Sequence, residues 1–341
     1  MENQAFSIEI TKRGGPAVLQ KRPLPVPRPG PEDVVVEIEA AGVAFADIVM
    51  REGLYPDAPP FPFVPGYDCV GKITDRGESV TNLEIGQRVG ALTRTGSYAT
   101  HIALPASRVA PCPATVDAAQ AVSLILNYLT AWQMLTRSAR MVAGERVLVH
   151  GGGGGVGTAL LECAKLLDLE AWATVSPAKR HLVEARDATP IDYRSEDFVQ
   201  TIQAAGGADA VFDAIGGDHW NASFAALRPG GRLVAYGLSS AFRNGRRHLP
   251  SAIRALLKQP KPGGTTLMER NAGFLGYDVW RLSQARPDWY RADLENLFEL
   301  LALGKLHPEV ADRIPLAEAT RAHERLGAGE IAGKLVLIPS G

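Results

Sequence analysis

A run of glycines set between an apolar strand and an apolar helix constrains this chain more than any other feature. Val147-Leu148-Val149-His150 leads into Gly151-Gly152-Gly153-Gly154-Gly155-Val156-Gly157, and Thr158 to Leu167 then continue with mostly apolar residues. Gly152, Gly154 and Gly157 satisfy G-x-G-x-x-G in a strand–turn–helix context, the arrangement that takes a dinucleotide pyrophosphate. Glycine permits the turn dihedrals and lets backbone N–H groups, including those of Gly155 and Val156, approach a phosphate without a Cβ in the way. The helix N-terminus adds free donors and the positive end of its dipole. Five consecutive glycines would also suit a linker, but the apolar strand and helix around them argue for a built turn.

The cofactor follows from the next strand, Ala171 to Val175. An NAD site places a carboxylate about 20 residues beyond the glycines to hold the ribose hydroxyls. Here Ser176, Pro177, Ala178, Lys179 and Arg180 occupy that stretch. A hydroxyl and two cations suit a 2′-phosphate through charge-assisted hydrogen bonds. Cations in a first helical turn oppose the helix dipole, so plain solvated residues explain them less well. NADPH is therefore the expected cofactor.

With 341 residues the chain is long for one domain and sufficient for two, each with its own core. A formal net charge of −1 gives no global field toward nucleic acid, and no nucleic-acid partner is expected. The longest apolar stretch, Ala118 to Leu135, is interrupted by Gln120, Ser123, Asn127, Thr130 and Gln133, so no membrane span is expected. The first residues, Met1 to Ile8, lack the regions of a signal peptide, and the expected location is cytoplasmic. Cys69, Cys112 and Cys163 are too far apart for a C-x-x-C site and read as reduced, packed thiols.

Three tracts are expected. Residues 1–126 form a β-rich domain, with strands at Val34–Ala40, Cys69–Thr74 and Gln87–Leu92. Residues 127–278 alternate strand and helix as a doubly wound parallel α/β sheet, with later strands at Ala210–Asp213, Arg232–Tyr236 and Gly273–Gly276. Residues 279–341 carry an amphipathic helix around Asp293–Leu303 and a strand, Gly333–Ile338, that returns to the first domain. Between Ser239 and Asn271 lies a basic connection with Arg243, Arg246, Arg247, His248, Arg254, Lys258 and Lys261. A solvated loop with one short helix near Ile253–Leu257 is expected there, with a lid or a partner surface as alternatives.

Gly42 to Pro56, Phe63 to Asp68, Asn127 to Trp132, the glycine turn, Ile191 to Arg194, Phe212 to Gly217 and Leu227 to Val234 resemble the medium-chain dehydrogenase/reductase superfamily. Ile314 to His323 and Gly333 to Leu337 are similar too. The nearest branch is the zinc-free quinone oxidoreductases, with zeta-crystallin and the vesicle amine transport protein relatives. The resemblance implies a GroES-like catalytic domain built from both chain ends, a central Rossmann domain, a cleft between them, and a homodimer formed by pairing Rossmann sheet edges.

Zinc alcohol dehydrogenases of this superfamily carry Cys-His after the glycine that matches Gly42 and His-Glu after the one that matches Gly66. This chain has Ala44-Phe45 and Tyr67-Asp68 instead, and it lacks the four-cysteine loop. A catalytic zinc wants three protein ligands, so no metal is expected at either site. The implied reaction is hydride transfer from NADPH to a conjugated acceptor, a quinone or an enone, whose carbonyl oxygen takes up negative charge. The resemblance marks Tyr55 as donor or substrate contact, Thr130 as a residue near the nicotinamide, Asn127 and Tyr67 as further contacts, and Tyr193 as a neighbour of the adenosine phosphate. Asp47 reads as a loop anchor, and His101, His219 and His323 as core or surface residues.

Quinone reductases usually have Asn where this chain has Ala44, and some have Tyr at Val49, so a more apolar substrate is implied. An enoyl thioester reductase of polyketide or lipid-type metabolism is the alternative. A non-catalytic NADPH-binding sensor or interaction protein is the third reading.

Overall fold

The computed structural model describes residues 5–243, 245–329 and 331–339. Met1 to Gln4 of the N-terminal reading lie outside the described residues, as does the side chain of Arg243. The chain divides into two compact units. One contains the described residues within Met1–Leu129, Asn244–Arg246 and Ser283–Gly341, and the other Thr130–Arg243 and Arg247–Leu282.

The second unit is a six-stranded parallel sheet. Its order is Thr189–Asp192, Glu170–Val175, Arg146–His150, Ala208–Asp213, Leu227–Ala235 and Gly273–Gly276. Arg146–His150 and Ala208–Asp213 are near-continuous buried apolar runs, as strands covered on both faces must be. Val147 pairs with Ala171 on one side and Ala210 on the other, which fixes the register at the sheet centre. Helix Gly155–Leu166 buries Ala159, Leu160, Leu161, Cys163 and Ala164. Beside the strands, Leu148, Ile191, Ile202, Val211, Phe224 and Leu233 form a core cluster. The basic connection departs from expectation. A short hairpin, Phe242–Arg243 with Arg246–Arg247, precedes two helices, Leu249–Leu257 and Gly264–Arg270. The second helix ends at Asn271, whose left-handed backbone closes the last turn.

The first unit is built on a seven-stranded sheet with a mainly antiparallel path: Val310–Pro315, Lys334–Ile338, Asp33–Val43, Asp68–Arg76, Arg88–Leu92 and Val109–Pro111, with His101–Pro105 also pairing Asp33–Val43. The strand from the end of the chain pairs antiparallel with Asp33–Val43, setting Leu335 opposite Val43 and Leu337 opposite Ala41. It pairs parallel with Val310–Pro315 on its other side. The late amphipathic helix spans Pro287–Ala302 and buries Tyr290, Leu294, Leu297, Phe298 and Leu301 at helical spacing. It starts earlier than the apolar spacing alone indicates, because Pro287 presets φ in the first turn. All three cysteines are free and buried. Among the described residues no helix is long and apolar enough to cross a membrane.

Candidate active site

In the second unit the strand order reverses between Arg146–His150 and Ala208–Asp213, and the glycine turn leaves the carboxyl end of the first of these. Open parallel sheets take ligands at such a switch point. The turn is held from behind: Gly151 N–H donates to Thr174 Oγ1 at 3.3 Å and Gly152 N–H to Thr174 O at 3.0 Å. Gly154 N–H closes on Gly151 O at 3.0 Å, and Gly154 caps helix Gly155–Leu166. The N–H groups of Gly155, Val156 and Gly157 thus open a helix, where no intrahelical partner exists for them. Added side chains would destroy this cradle. A Cβ on Gly157 would overlap Gly151 O, and one on Gly152 would stand 2.6 Å from Ala173 Cβ. One on Gly153 would meet the Lys179 stem at 2.9 Å, so that stem packs over the turn. These residues fit a pyrophosphate.

Past the next strand, Ser176 precedes the short turn Pro177–Lys179. A cavity of about 210 Å³ is lined there by Ser176, Arg180, Asp192, Ser195 and Glu196. Two features were invisible in the sequence. Arg180 is paired with Glu184 at 2.8 Å, both half exposed, and two carboxylates share the rim. Those carboxylates hold local donors: Glu196 accepts Asp192 N–H at 2.7 Å, and Asp192 accepts Arg194 N–H at 3.0 Å and the Ser195 hydroxyl at 2.9 Å. Tyr193 is 55 % exposed, with the Arg194 guanidinium 5.8 Å from its ring centre.

In the first unit, helix Phe45–Arg51 is tied down by Asp47. Its carboxylate accepts the N–H of Ala44 at 2.9 Å and of Gly66 at 3.1 Å, and the Tyr98 hydroxyl at 3.3 Å. Burial pushes the Asp47 carboxyl up to about 7. These bonds hold in register the two segments that carry Tyr55 and Tyr67. The tyrosine hydroxyls meet at 2.7 Å with the rings edge to face, Tyr67 buried and Tyr55 partly exposed. Arg94 braces the Tyr55 loop through the carbonyls of Pro56 and Asp57, at 3.1 and 2.6 Å. Leu126 N–H donates to Asp68 Oδ2 at 3.1 Å, which anchors helix Ala118–Gln133 beside the start of strand Asp68–Arg76, directly after Tyr67. Asn127 and Thr130, both buried, are three residues apart on that helix and share a face.

Asp68 Oδ2 also accepts Lys334 Nζ at 2.9 Å, and both side chains are buried. Gly42 is required beside them, since a Cβ there would overlap Asp68 Oδ1 and Lys334 Cε. Nothing local in the sequence marks Lys334 as a partner of Asp68. Its only signal is a charge opening an otherwise apolar strand.

His323 is a core residue. Arg51 Nη1 lies 3.0 Å from His323 Nδ1 and the Tyr98 hydroxyl 3.1 Å from Nε2. Arg51 can only donate, so Nδ1 accepts and Nε2 carries the proton. Burial first, and the Arg51 charge second, hold this imidazole down at about 3. A folded pKa below the unfolded value favours the native state above the unfolded pKa, near 6.5, and that contribution is lost as pH falls toward 3. The wild type should therefore lose about 1.4 kcal/mol per pH unit below pH ~6 relative to His323→Gln. Urea midpoints of both proteins at neutral and acid pH check this; parallel curves would refute it.

Residues 30–114 match the family described as alcohol dehydrogenase GroES-like domain, and residues 186–337 that described as zinc-binding dehydrogenase. The rat synaptic vesicle membrane protein VAT-1 homolog is 29 % identical over 325 residues, covering 94 % of this chain and 80 % of that protein. A phenolphthiocerol/phthiocerol polyketide synthase protein of Mycobacterium tuberculosis is 29 % identical over 338 residues, which are 98 % of this chain and 15 % of that protein. The structure of mycobacterial Rv1454c complexed with NADPH is 30 % identical, with a TM-score of 0.85 over 98 % of this chain and 100 % of that one. That of Escherichia coli quinone oxidoreductase complexed with NADPH is 28 % identical, with a TM-score of 0.87 and the same coverage.

Proposed function

The chain belongs to the medium-chain dehydrogenase/reductase superfamily, in the branch of quinone oxidoreductases and VAT-1 homologues, and on that premise we propose that it is an NADPH-dependent reductase of conjugated carbonyl acceptors. The observation that carries this reading is the glycine cradle at the switch point of the parallel sheet. Gly155, Val156 and Gly157 hold the pyrophosphate through backbone N–H groups, and Ser176 and Lys179 attract the 2′-phosphate, with Arg180 shared between it and Glu184. Tyr193 lies against the adenosine end, and Thr130 faces the nicotinamide. When bound, NADPH supplies the hydride.

The Tyr55–Tyr67 pair serves as the donor to the acceptor's carbonyl oxygen. Tyr55 is the partly exposed member and presents its hydroxyl to substrate. Tyr67, fixed at 2.7 Å behind it, holds that hydroxyl in place. A preset donor is worth most where negative charge develops on oxygen. The reaction is zinc-independent in this reading. Ala44 and Phe45 offer no ligand atom, the Tyr67 hydroxyl is engaged by Tyr55, and the Lys334 ammonium already answers the Asp68 charge.

Loss of NADPH absorbance against benzoquinone, phenanthrenequinone, an alkenal and a crotonyl thioester tests the proposal. Turnover that prefers NADPH to NADH and survives a chelator supports it; no turnover on any acceptor counts against it. Tyr55→Phe should lower kcat by about 100-fold, the cost of losing one preset donor. Tyr67→Phe should cost about tenfold through a loosened Tyr55, with NADPH affinity unchanged in both variants. Equal rates in all three proteins would remove the pair from the reaction. Preference for the crotonyl thioester would assign the chain to enoyl reduction, which its similarity to a polyketide synthase and the apolar Ala44 and Val49 favour as the second reading.

A further inference from the structure

Behind the glycine turn, on the second unit alone, three potential metal ligands converge on one hydroxyl. His150 ends strand Arg146–His150, Asp213 ends the adjoining strand Ala208–Asp213, and His219 opens helix His219–Ala225. Ser223, one helical turn beyond His219, sets its Oγ 2.6 Å from Asp213 Oδ2, 3.1 Å from His150 Nε2 and 3.4 Å from His219 Nδ1. One ligand atom from each of His150, Asp213 and His219 lies within 4.8 Å of the others. We propose that these three side chains form a binding site for a divalent transition-metal ion of the zinc type, separate from the reaction centre, that clamps the two strands of the switch point to helix His219–Ala225.

The supporting bonds are those that a metal site needs. His150 Nδ1 lies 3.0 Å from Thr174 Oγ1, so an N–H donated there leaves the Nε2 lone pair facing the cluster. Asp213 Oδ1 is occupied by the N–H groups of Ile215 at 2.7 Å and Gly216 at 3.1 Å, which aims Oδ2 inward. His219 Nδ1 stands 2.7 Å from that oxygen. Phe198 stacks on the His219 ring and meets His150 edge to face, holding both planes. Donors at ~2.1 Å from a tetrahedral zinc stand roughly 3.4 Å apart, so separations here need adjust by about 1 Å.

Charge argues in the same direction. Asp213 is fully buried, and among the described residues its only ion-pair partner is His219, which is charged only if protonated. Two imidazoles and one carboxylate form a donor set suited to zinc, with the Ser223 hydroxyl or a water as fourth ligand. The side chain of His219, a quarter exposed, is the side from which an ion enters.

The test uses full-length protein stripped with a chelator, without NADPH, and titrated with Zn²⁺ against a chromophoric chelator. Co²⁺ is added in parallel for its ligand-field absorption. One ion per chain, a raised thermal midpoint with Zn²⁺, and affinity at least about tenfold weaker in His219→Ala and Asp213→Asn are expected. His219→Ala alters the most exposed member and, with unchanged circular dichroism, separates loss of a ligand from loss of fold. No uptake by the wild type, or equal uptake by wild type and variants, would overturn the site and leave a hydrogen-bonded network around Ser223. Because every readout is binding or stability, failure here is distinct from failure of the reductase proposal.

Discussion

Gly157→Ala is expected to weaken NADPH binding by at least about 100-fold while leaving the fold intact. The added Cβ enters the carbonyl oxygen of Gly151, so the turn must open to admit it. Opening moves the first N–H groups of helix Gly155–Leu166 off the pyrophosphate. Hydrogen bonds to a charged group are each worth about 1.5–3 kcal/mol, and losing two gives at least the stated factor. Nucleotide fluorescence titration reads the effect, with circular dichroism to verify the fold. Gly264→Ala is the control, since a Cβ there meets nothing within 4 Å and it opens a helix far along the chain. If Gly157→Ala binds NADPH within about threefold of the wild type, the turn does not carry the cofactor.

Lys334→Met should produce the largest loss of stability. It leaves Asp68, fully buried, without the ammonium that answers its charge, at a cost of about 3–5 kcal/mol. Asp68 Oδ1 has no hydrogen bond among the described residues, so little else in the site compensates the charge. The double variant Lys334→Met/Asp68→Asn should recover most of the loss, because a neutral pair carries no stranded charge. Urea midpoints of the wild type and both variants decide it. A single variant as stable as the wild type would mean that water reaches Asp68.

Much of this was legible along the chain because its signals are local. The glycine turn, the apolar strands around it and the helix behind it are contiguous, and period and residue type suffice to recognise them. What escaped was set by contacts between distant residues. Asp68 and Lys334 are 266 positions apart and meet only because the last strand pairs with Asp33–Val43. Tyr55 and Tyr67 were each singled out, yet their hydroxyl contact depends on Asp47 holding two backbone segments in register. Ser176 and Arg180 read as a cationic pocket, while Asp192 and Glu196 reach the same rim from the neighbouring strand and the turn after it. Helix Gly264–Arg270 was missed because it buries no side chain, so no apolar period announces it. His150, Asp213 and His219 had no motif, since parallel strand ends gather residues that the sequence scatters.

The strand Lys334–Ile338 sits inside the larger sheet of the first unit, between Asp33–Val43 and Val310–Pro315. On the ribosome, where domains usually complete themselves as they emerge, this order is reversed. The parallel sheet closes once Gly276 has been made, whereas the sheet begun at Asp33 waits for the strand that opens at Lys334. Until then the Ala41–Val43 end of strand Asp33–Val43 lacks its partner on one edge, the kind of surface that chaperones shield and that neighbouring chains recruit. The order of synthesis thus makes the nucleotide-binding unit the earlier to form, and leaves the unit carrying the tyrosine pair exposed to misassembly for longest.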